Sequence, residues 1–181
     1  MRAFLLLLLI IFFSSCSTDI KYIKDLTKND KIPFEIMEGV KLHYSDSAVL
    51  KVKLISPLIQ RFSGDRNEII FPNGIDVSFY SDGINIQSKL QANYAIKKTK
   101  TNITEIKENV ILKNFKGEQL NTEHLIWDEN NGILKSDKEV TITTQQEIIK
   151  GTGFEADQEF NNYKINNITG TILLKKDEAF Y

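Results

Sequence analysis

Residues 151–157, which read GTGFEAD, have the glycine spacing of a dinucleotide-binding turn. In such a turn the pyrophosphate rests on the N-terminus of a helix that begins at the glycines. Residues 158–167 are rich in asparagine and lack the i, i+3, i+4 apolar stripe that predicts a helix. We therefore expect no cofactor here. Gly151 and Gly153 are better interpreted as strand glycines, which mark a bulge, a bend or the close approach of another backbone.

Residues suited to metal binding or catalysis are few and scattered. The two histidines, His43 and His124, stand far apart in the sequence, and Cys16 is the only cysteine. The sequence contains no paired cysteine motif, zinc-binding histidine motif, nucleophile elbow or phosphate-binding loop. It therefore predicts neither a metal site nor an enzyme, although a catalytic triad assembled by the fold stays open as an alternative.

Trp127 and two lysine clusters each admit a functional and a structural interpretation. Trp127, the only tryptophan, could stack on a sugar or line a lipid groove, but core packing with a hydrogen-bonded indole N–H is the ordinary role of such a residue. Lysines at 97, 98, 100, 175 and 176 could meet phosphates, but such runs are commonly solvated strand ends. The 23 basic and 24 acidic residues leave no positive excess that would indicate nucleic acid.

The N-terminus has the pattern of a bacterial secretion signal. Arg2 precedes an unbroken apolar run at residues 4–13, which is too short for a membrane-spanning helix, and two serines follow. Residues 13–16 (FSSC) resemble a lipobox, with Phe13 where leucine is usual. We predict a lipoprotein-type signal peptide at 1–15, a lipid anchor at Cys16, a polar tether at 16–33 and a folded domain at 34–181. A plain signal peptide with an incidental cysteine is the alternative.

Short runs of alternating apolar and polar residues fill the chain from Phe34 onward, which predicts a single all-β domain. The clearest runs are residues 75–79, 84–92 and 140–143, and turn signals occur at 71–74, 81–83, 115–117 and 129–132. Similar segments begin at Ala92, Thr122 and Gly151, at intervals of 30 (122 − 92) and 29 (151 − 122) residues. A period near 30 indicates a hairpin-like unit that stacks on its neighbours.

Six segments occur in a characteristic order. They are 71–80 (FPNGIDVSFY), 90–95 (LQANYA), 108–110 (ENV), 114–128 (NFKGEQLNTEHLIWD), 136–142 (SDKEVTI) and 151–157 (GTGFEAD). Over residues 35–175 this order resembles the LptC family, the anchored periplasmic subunit of the lipopolysaccharide export machine. The resemblance implies an open, twisted β-jellyroll, shared with OstA/LptA-like proteins, that shields lipid chains in a groove. LptC proteins often have an uncleaved transmembrane helix, so the lipobox-like signal departs from the usual family pattern.

The resemblance also implies partners and a location. The C-terminal edge strand, containing Thr171, Ile172, Leu173 and Leu174, would pair with an LptA-like bridge protein. The N-terminal edge would meet the LptF/LptG ABC transporter complex. The ligand would be lipopolysaccharide, held by the acyl chains of its lipid A. The expected location is the periplasm of a Gram-negative bacterium, with the anchor in the inner membrane.

A lipid groove would be lined by the inward-facing apolar residues of the strands. Leaving one acyl chain of about a dozen carbons in water costs roughly 10 kcal/mol, so the lining has to be apolar throughout. The predicted lining is Val77, Phe79, Ile84, Ile86, Leu90, Val110, Leu112, Leu120, Val140, Ile142, Ile148 and Ile168. The same residues would fill the core of an ordinary sandwich. The alternative function is therefore a structural β-roll lipoprotein that docks envelope proteins without carrying lipid.

Overall fold

The computed structural model describes residues 32–173, which form eleven β-strands joined in one antiparallel sheet, without a helix in that range. The strands are β1 (Glu35–Asp46), β2 (Val49–Phe62), β3 (Glu68–Phe71), β4 (Ile75–Tyr80), β5 (Ile86–Ala92), β6 (Tyr94–Lys98), β7 (Ile103–Asn114), β8 (Gln119–Asp128), β9 (Ile133–Thr143), β10 (Glu147–Asp157) and β11 (Tyr163–Leu173). The all-β prediction is confirmed, and each predicted turn separates or interrupts strands. The predicted signal peptide, Cys16, most of the tether and Leu174 lie outside the described residues.

The sheet is an antiparallel meander that is folded along its middle into two layers. The first half of β2, residues 52–55, pairs with β4, whereas its second half, residues 60–62, pairs with β3. In the same way β7 pairs with β6 through residues 103–107 and with β5 through residues 111–114. We call the layer that contains β4 and β5 the first layer and the one that contains β3 and β6 the second. The remaining long strands run through both, as expected for an open, twisted β-jellyroll.

The chain passes from one layer to the other at a common level, which we call the fold line. β1 crosses it at Gly39 and β2 at Pro57, a residue that cannot donate a ladder hydrogen bond. Between β3 and β4 the line falls in the turn 72–74, where Gly74 has φ +89°. In β7 it falls at Glu108 and Asn109, both of which have positive φ, and a register shift accompanies them. Each crossing therefore occurs where the local sequence permits the backbone to leave the regular ladder.

The repeat near 30 residues is the distance between two crossings of the fold line in the same direction. Ala92 ends β5 at the line, Thr122 precedes the register shift between β8 and β9, and Gly151 adjoins the shift between β10 and β11. We call one passage of the chain through both layers, with its bend at the fold line, a limb. One limb is about half the repeat, so the repeated unit is a hairpin of two limbs.

The two layers enclose a core of tightly packed apolar side chains. In the first layer, Val77, Leu90 and Leu112 stand opposite one another on β4, β5 and β7 and are fully buried. In the second layer, Leu125 of β8 is also fully buried. The layers meet where Phe79 packs edge-to-face on Trp127, with ring centroids 5.2 Å apart. Burying each large apolar side chain contributes about 1.5–3 kcal/mol, so this core holds the layers together.

The glycine-rich segment 151–157 lies within β10, so the interpretation as strand glycines is confirmed. A Cβ at Gly151 would lie 2.6 Å from the carbonyl oxygen of Asn167 and 2.5 Å from Cγ2 of Ile165. Gly153 has φ +79°, at the register shift between β10 and β9. These glycines therefore permit a bulge and the close approach of β11, and the element that follows them is the strand β11, where a pyrophosphate-binding turn requires a helix.

Replacing Gly151 by alanine should destabilise the protein, because the new methyl group would overlap the backbone of β11. We expect Gly151→Ala to lower the free energy of unfolding by about 1–3 kcal/mol in urea titrations. Gly170→Ala is the matched control, since a Cβ at Gly170 would meet no atom within 4 Å and its φ is not positive. Equal losses in the two variants would contradict the close-approach explanation.

Candidate functional site

Eight of the predicted lining residues point into the core, as expected. Each is at most 2% exposed, and all belong to one cluster: Val77, Phe79, Leu90, Val110, Leu112, Leu120, Val140 and Ile142. These residues therefore face inward, whereas their role as a lipid lining stays a prediction. They fill the space between the layers at the centre of the molecule, where the packing leaves no open channel along these side chains.

The inward orientation is wrong for Ile84 and Ile148. Ile84 lies in the turn before β5 and is 82% exposed. Ile148 pairs with Thr143 and Ile172 on the outer face, while Ile149 pairs with the buried Ile142 on the inner face. The cause is the register shift at Gly153, where the single residue Gly153 of β10 stands opposite two residues of β9. Gly151 and Phe154, three positions apart, are both buried, so the alternation of β10 slips by one residue there.

The two other predicted lining residues lie at the boundary of the interior. Ile86 begins β5 and is exposed. Ile168 stands opposite Gly151, and therefore on the inner face, but it is 61% exposed because β11 is at the edge of the sheet. The interior is thus accessible from the side of β11.

One row of apolar side chains crosses the inner face of the first layer from the edge strand β1 to β10, the neighbour of the other edge strand. Successive pairings place these residues opposite one another on eight strands: Leu42, Leu54, Val77, Leu90, Leu112, Leu120, Ile142 and Ile149. We call this set the apolar row. Its centre is buried, whereas Leu42 at the β1 end is 47% exposed. The row is therefore continuous inside the molecule and open at its N-terminal edge.

Both edge strands have one unpaired side within the described range 32–173. β1 pairs with β2 alone, and β11 pairs with β10 alone. Ile36 and Tyr44 of β1 are exposed, and so are Ile172 and Leu173 of β11. An unpaired strand with exposed apolar side chains can accept a strand from another protein. The predicted edge residues Thr171, Ile172 and Leu173 do lie in such a strand.

The turn between β10 and β11 closes part of the gap between the layers, a feature that the sequence analysis did not predict. We call residues 158–162 the latch turn. Its Phe160 is fully buried and packs on Phe154 and Tyr163, at centroid distances of 5.9 and 5.1 Å. The only feature of the sequence that could have indicated this burial is one phenylalanine followed by asparagines. Burial also raises the pKa of the Tyr163 hydroxyl, as do the nearby carboxylates of Glu118 and Glu147.

Trp127 is a core residue, but its indole N–H differs from the expectation. The ring is 6% exposed and contacts Phe79, whereas Nε1 has no hydrogen-bond partner among residues 32–173. A buried donor without a partner lowers stability.

Lys97, close to Trp127, forms a 2.5 Å ion pair with Glu129, which also accepts a 2.6 Å hydrogen bond from Thr104. Lys97 is therefore neutralised by a carboxylate.

Several ionisable groups of the described region form ion pairs. His124 Nε2 lies 2.8 Å from Glu105, which Lys107 also contacts at 3.0 Å. Burial alone would raise the pKa of Glu105, but the hydrogen bonds from His124 and Lys107 outweigh it and lower that pKa.

Within residues 32–173, no group of three histidine, cysteine or acidic side chains is placed to hold a metal ion. The same range has no helix that is long and apolar enough to cross a membrane.

Because its indole N–H is unpaired, Trp127 should tolerate replacement by another aromatic residue. We expect Trp127→Phe to lower the free energy of unfolding by less than about 1.5 kcal/mol, since contact with Phe79 is kept and no hydrogen bond is lost. Trp127→Ala should cost about 3–5 kcal/mol, because it leaves a cavity. Urea unfolding followed by circular dichroism measures both. A large loss for Trp127→Phe would mean that the N–H has a partner in solution.

Comparison with known proteins gives one informative result. The family model described as lipopolysaccharide-assembly, LptC-related, matches residues 3–172. That range includes all six segments on which the resemblance rests and ends one residue before the last residue of β11. No curated protein matches the chain.

Proposed function

Because this chain belongs to the LptC-related family of lipopolysaccharide-assembly proteins, we propose that it carries lipopolysaccharide between an inner-membrane transporter and a bridge protein. Membership in the family implies lipopolysaccharide transport by a periplasmic, membrane-associated protein, and the family is one of transport proteins and not of enzymes. The finer proposal adds a direction, a route for the lipid chains and two docking edges.

The observation that carries the proposal is the apolar row. It crosses eight strands, and at an interstrand spacing of about 4.8 Å its seven steps span roughly 34 Å. A saturated chain laid along such a row would exchange water for apolar contacts, at about 0.8 kcal/mol per methylene. The partly exposed Leu42 and Ile168 give a chain its first contacts at the edges of the interior.

The two edge strands support the proposed hand-off. Pairing of a partner strand with β1 or β11 would satisfy backbone groups that have no partner in the sheet. It would also extend the inner face into the neighbouring module, so that lipid chains stay covered during transfer. We propose that β1 meets the LptF/LptG complex and that β11 meets an LptA-like bridge protein. ATP hydrolysis in the transporter would supply the direction.

We further propose the attachment that the N-terminal sequence predicts. Residues 1–15 would be removed as a signal peptide, Cys16 would bear the lipid, and residues 16–33 would connect it to the domain that begins at residue 34. Two or more acyl chains on the cysteine would make the attachment stable. The membrane would be the inner one, as expected for the family.

The alternative proposal is a structural adaptor that uses the same edges to dock envelope proteins and carries no lipid. The observation that favours it is the filled centre, where eight of the predicted lining residues are at most 2% exposed. Both proposals need the free edges. They differ in whether lipid ever contacts the inner face.

Site-specific photo-crosslinking in cells that make lipopolysaccharide separates the two proposals. We expect a crosslinker at Ile168 to label with lipopolysaccharide, because this residue faces the interior at an accessible edge. Ile172 is the matched control: it lies on the same strand, is 55% exposed and points to the outer face. On β1, Leu42 and its neighbour His43 form a second such pair.

Labelling at Ile168 and Leu42, with little at Ile172 and His43, supports the carrier. Absence of labelling at both inner positions, in variants that are folded and present at normal levels, would refute the carrier and leave the adaptor. Equal labelling on the two faces would show adsorption of lipid to the surface and would also count against an internal route.

A further inference from the structure

The latch turn differs from the other turns at the free end of the second layer. The turns that join β2 to β3, β6 to β7 and β8 to β9 occupy residues 63–67, 99–102 and 129–132 and contain no buried residue. In contrast, Phe160 of the latch turn is fully buried in the core. Phe160 thus fills the space between the two layers at their open side.

Two polar side chains of the first layer hold the latch turn in place. Asn114 Nδ2 donates to the carbonyl oxygen of Phe160 at 2.8 Å, and Ser88 Oγ donates to that of Gln158 at 2.7 Å. Ser88 and Asn114 stand opposite each other on β5 and β7. They lie on the inner face, since Ser88 also stands opposite the buried Phe79. The latch turn therefore bridges the free ends of both layers.

The polar character of this fastening is unusual for its position. Ser88 is 1% exposed and Asn114 4%, in a face whose other buried residues are mostly apolar. An apolar pair at these positions would close the gap by packing alone. Burying a serine or asparagine costs free energy unless its hydrogen bonds are made, so Ser88 and Asn114 favour the position of the turn that makes them. If the turn moved away, water could form hydrogen bonds with the two side chains instead.

The backbone of the latch turn is strained in the closed position. Phe160 has φ +55°, a left-handed conformation that bulky residues rarely adopt. It is the one aromatic residue with positive φ in the described range. Asparagine adopts this conformation more readily, and two asparagines follow immediately at 161 and 162. Opening of the turn would relieve this strain and so lower the free-energy difference between the closed and open positions.

From these contacts we propose that Phe160 occupies a site for one acyl chain and that the latch turn opens to admit it. The inference rests on the proposed carrier function and adds the residue that controls entry on the β11 side. In the closed position the phenyl ring lies against Phe154 and Tyr163 and takes the place of the chain. Withdrawal of the ring exposes the same apolar wall to a lipid, and release of the lipid allows the ring to return.

The test measures contact of purified lipopolysaccharide with the wall behind Phe160, using the full chain. A benzophenone amino acid replaces Phe154, which is 2% exposed and lies behind the latch, and in a second protein it replaces Ile168 at the open edge. We expect Phe160→Gly to increase labelling at position 154 by about tenfold or more, because it removes the ring and accepts the positive φ. Labelling at position 168 should stay the same.

A second variant moves the latch without removing Phe160. Ser88→Ala, which deletes one hydrogen bond to the turn, should raise labelling at position 154 in the same direction but by less. Circular dichroism establishes that each variant is folded. If Phe160→Gly does not fold, the Ser88→Ala variant decides.

The outcomes separate the latch from the carrier function. Labelling at 168 together with unchanged labelling at 154 in the Phe160 and Ser88 variants would overturn the latch and leave the carrier intact. No labelling at either position in any variant would overturn the carrier itself.

Discussion

The whole architecture depends on one constraint, which is that every limb of the sheet must bend at the same level. A bend interrupts the hydrogen-bond ladder, and a misplaced one would leave backbone groups of its neighbours unpaired inside the protein. The chain meets this constraint with residues that leave the ladder easily: Gly39, Pro57, Gly74, Asn109 and Gly153. The alignment creates two layers from one meander, and with them an interior that runs from β1 to β11.

The same constraint explains which parts of the fold were predictable. Strand type, turns and the period near 30 follow from local composition, because each limb is a short alternating run that ends at a turn residue. Local composition does not show which side chains face inward after the strand has passed a bend. The inward residues of β8 step from Thr122 to Leu125, and those of β10 from Gly151 to Phe154, so alternation slips by one residue at the fold line. The glycines of β10 were recognised, but their effect on Ile148 requires knowledge of the register.

The latch turn shows a second limit of local reasoning. Residues 158–162 have the composition of a solvent-exposed loop, and nothing within them indicates that Phe160 is buried. Its burial depends on side chains that are 46 and 70 positions away along the chain, in Asn114 and Ser88. The free edges, in contrast, could be expected, because a meander that does not close on itself ends in two unpaired strands.

A filled interior and a route for lipid are compatible on physical grounds. An empty apolar trough of this length would expose its lining to water whenever no lipid was present, at about 25 cal/mol for each Å². Filling the space with the protein's own side chains removes that cost. Lipid then has to displace side chains instead of water, so entry is favourable only where displacement is easy. Such places are the edges of the interior, where the inward-facing Leu42 and Ile168 are partly exposed, and the gap that is closed by a strained aromatic turn. A carrier that binds weakly along its centre and opens at its ends can pass its cargo on, which a permanently open, tight-binding groove could not do as readily.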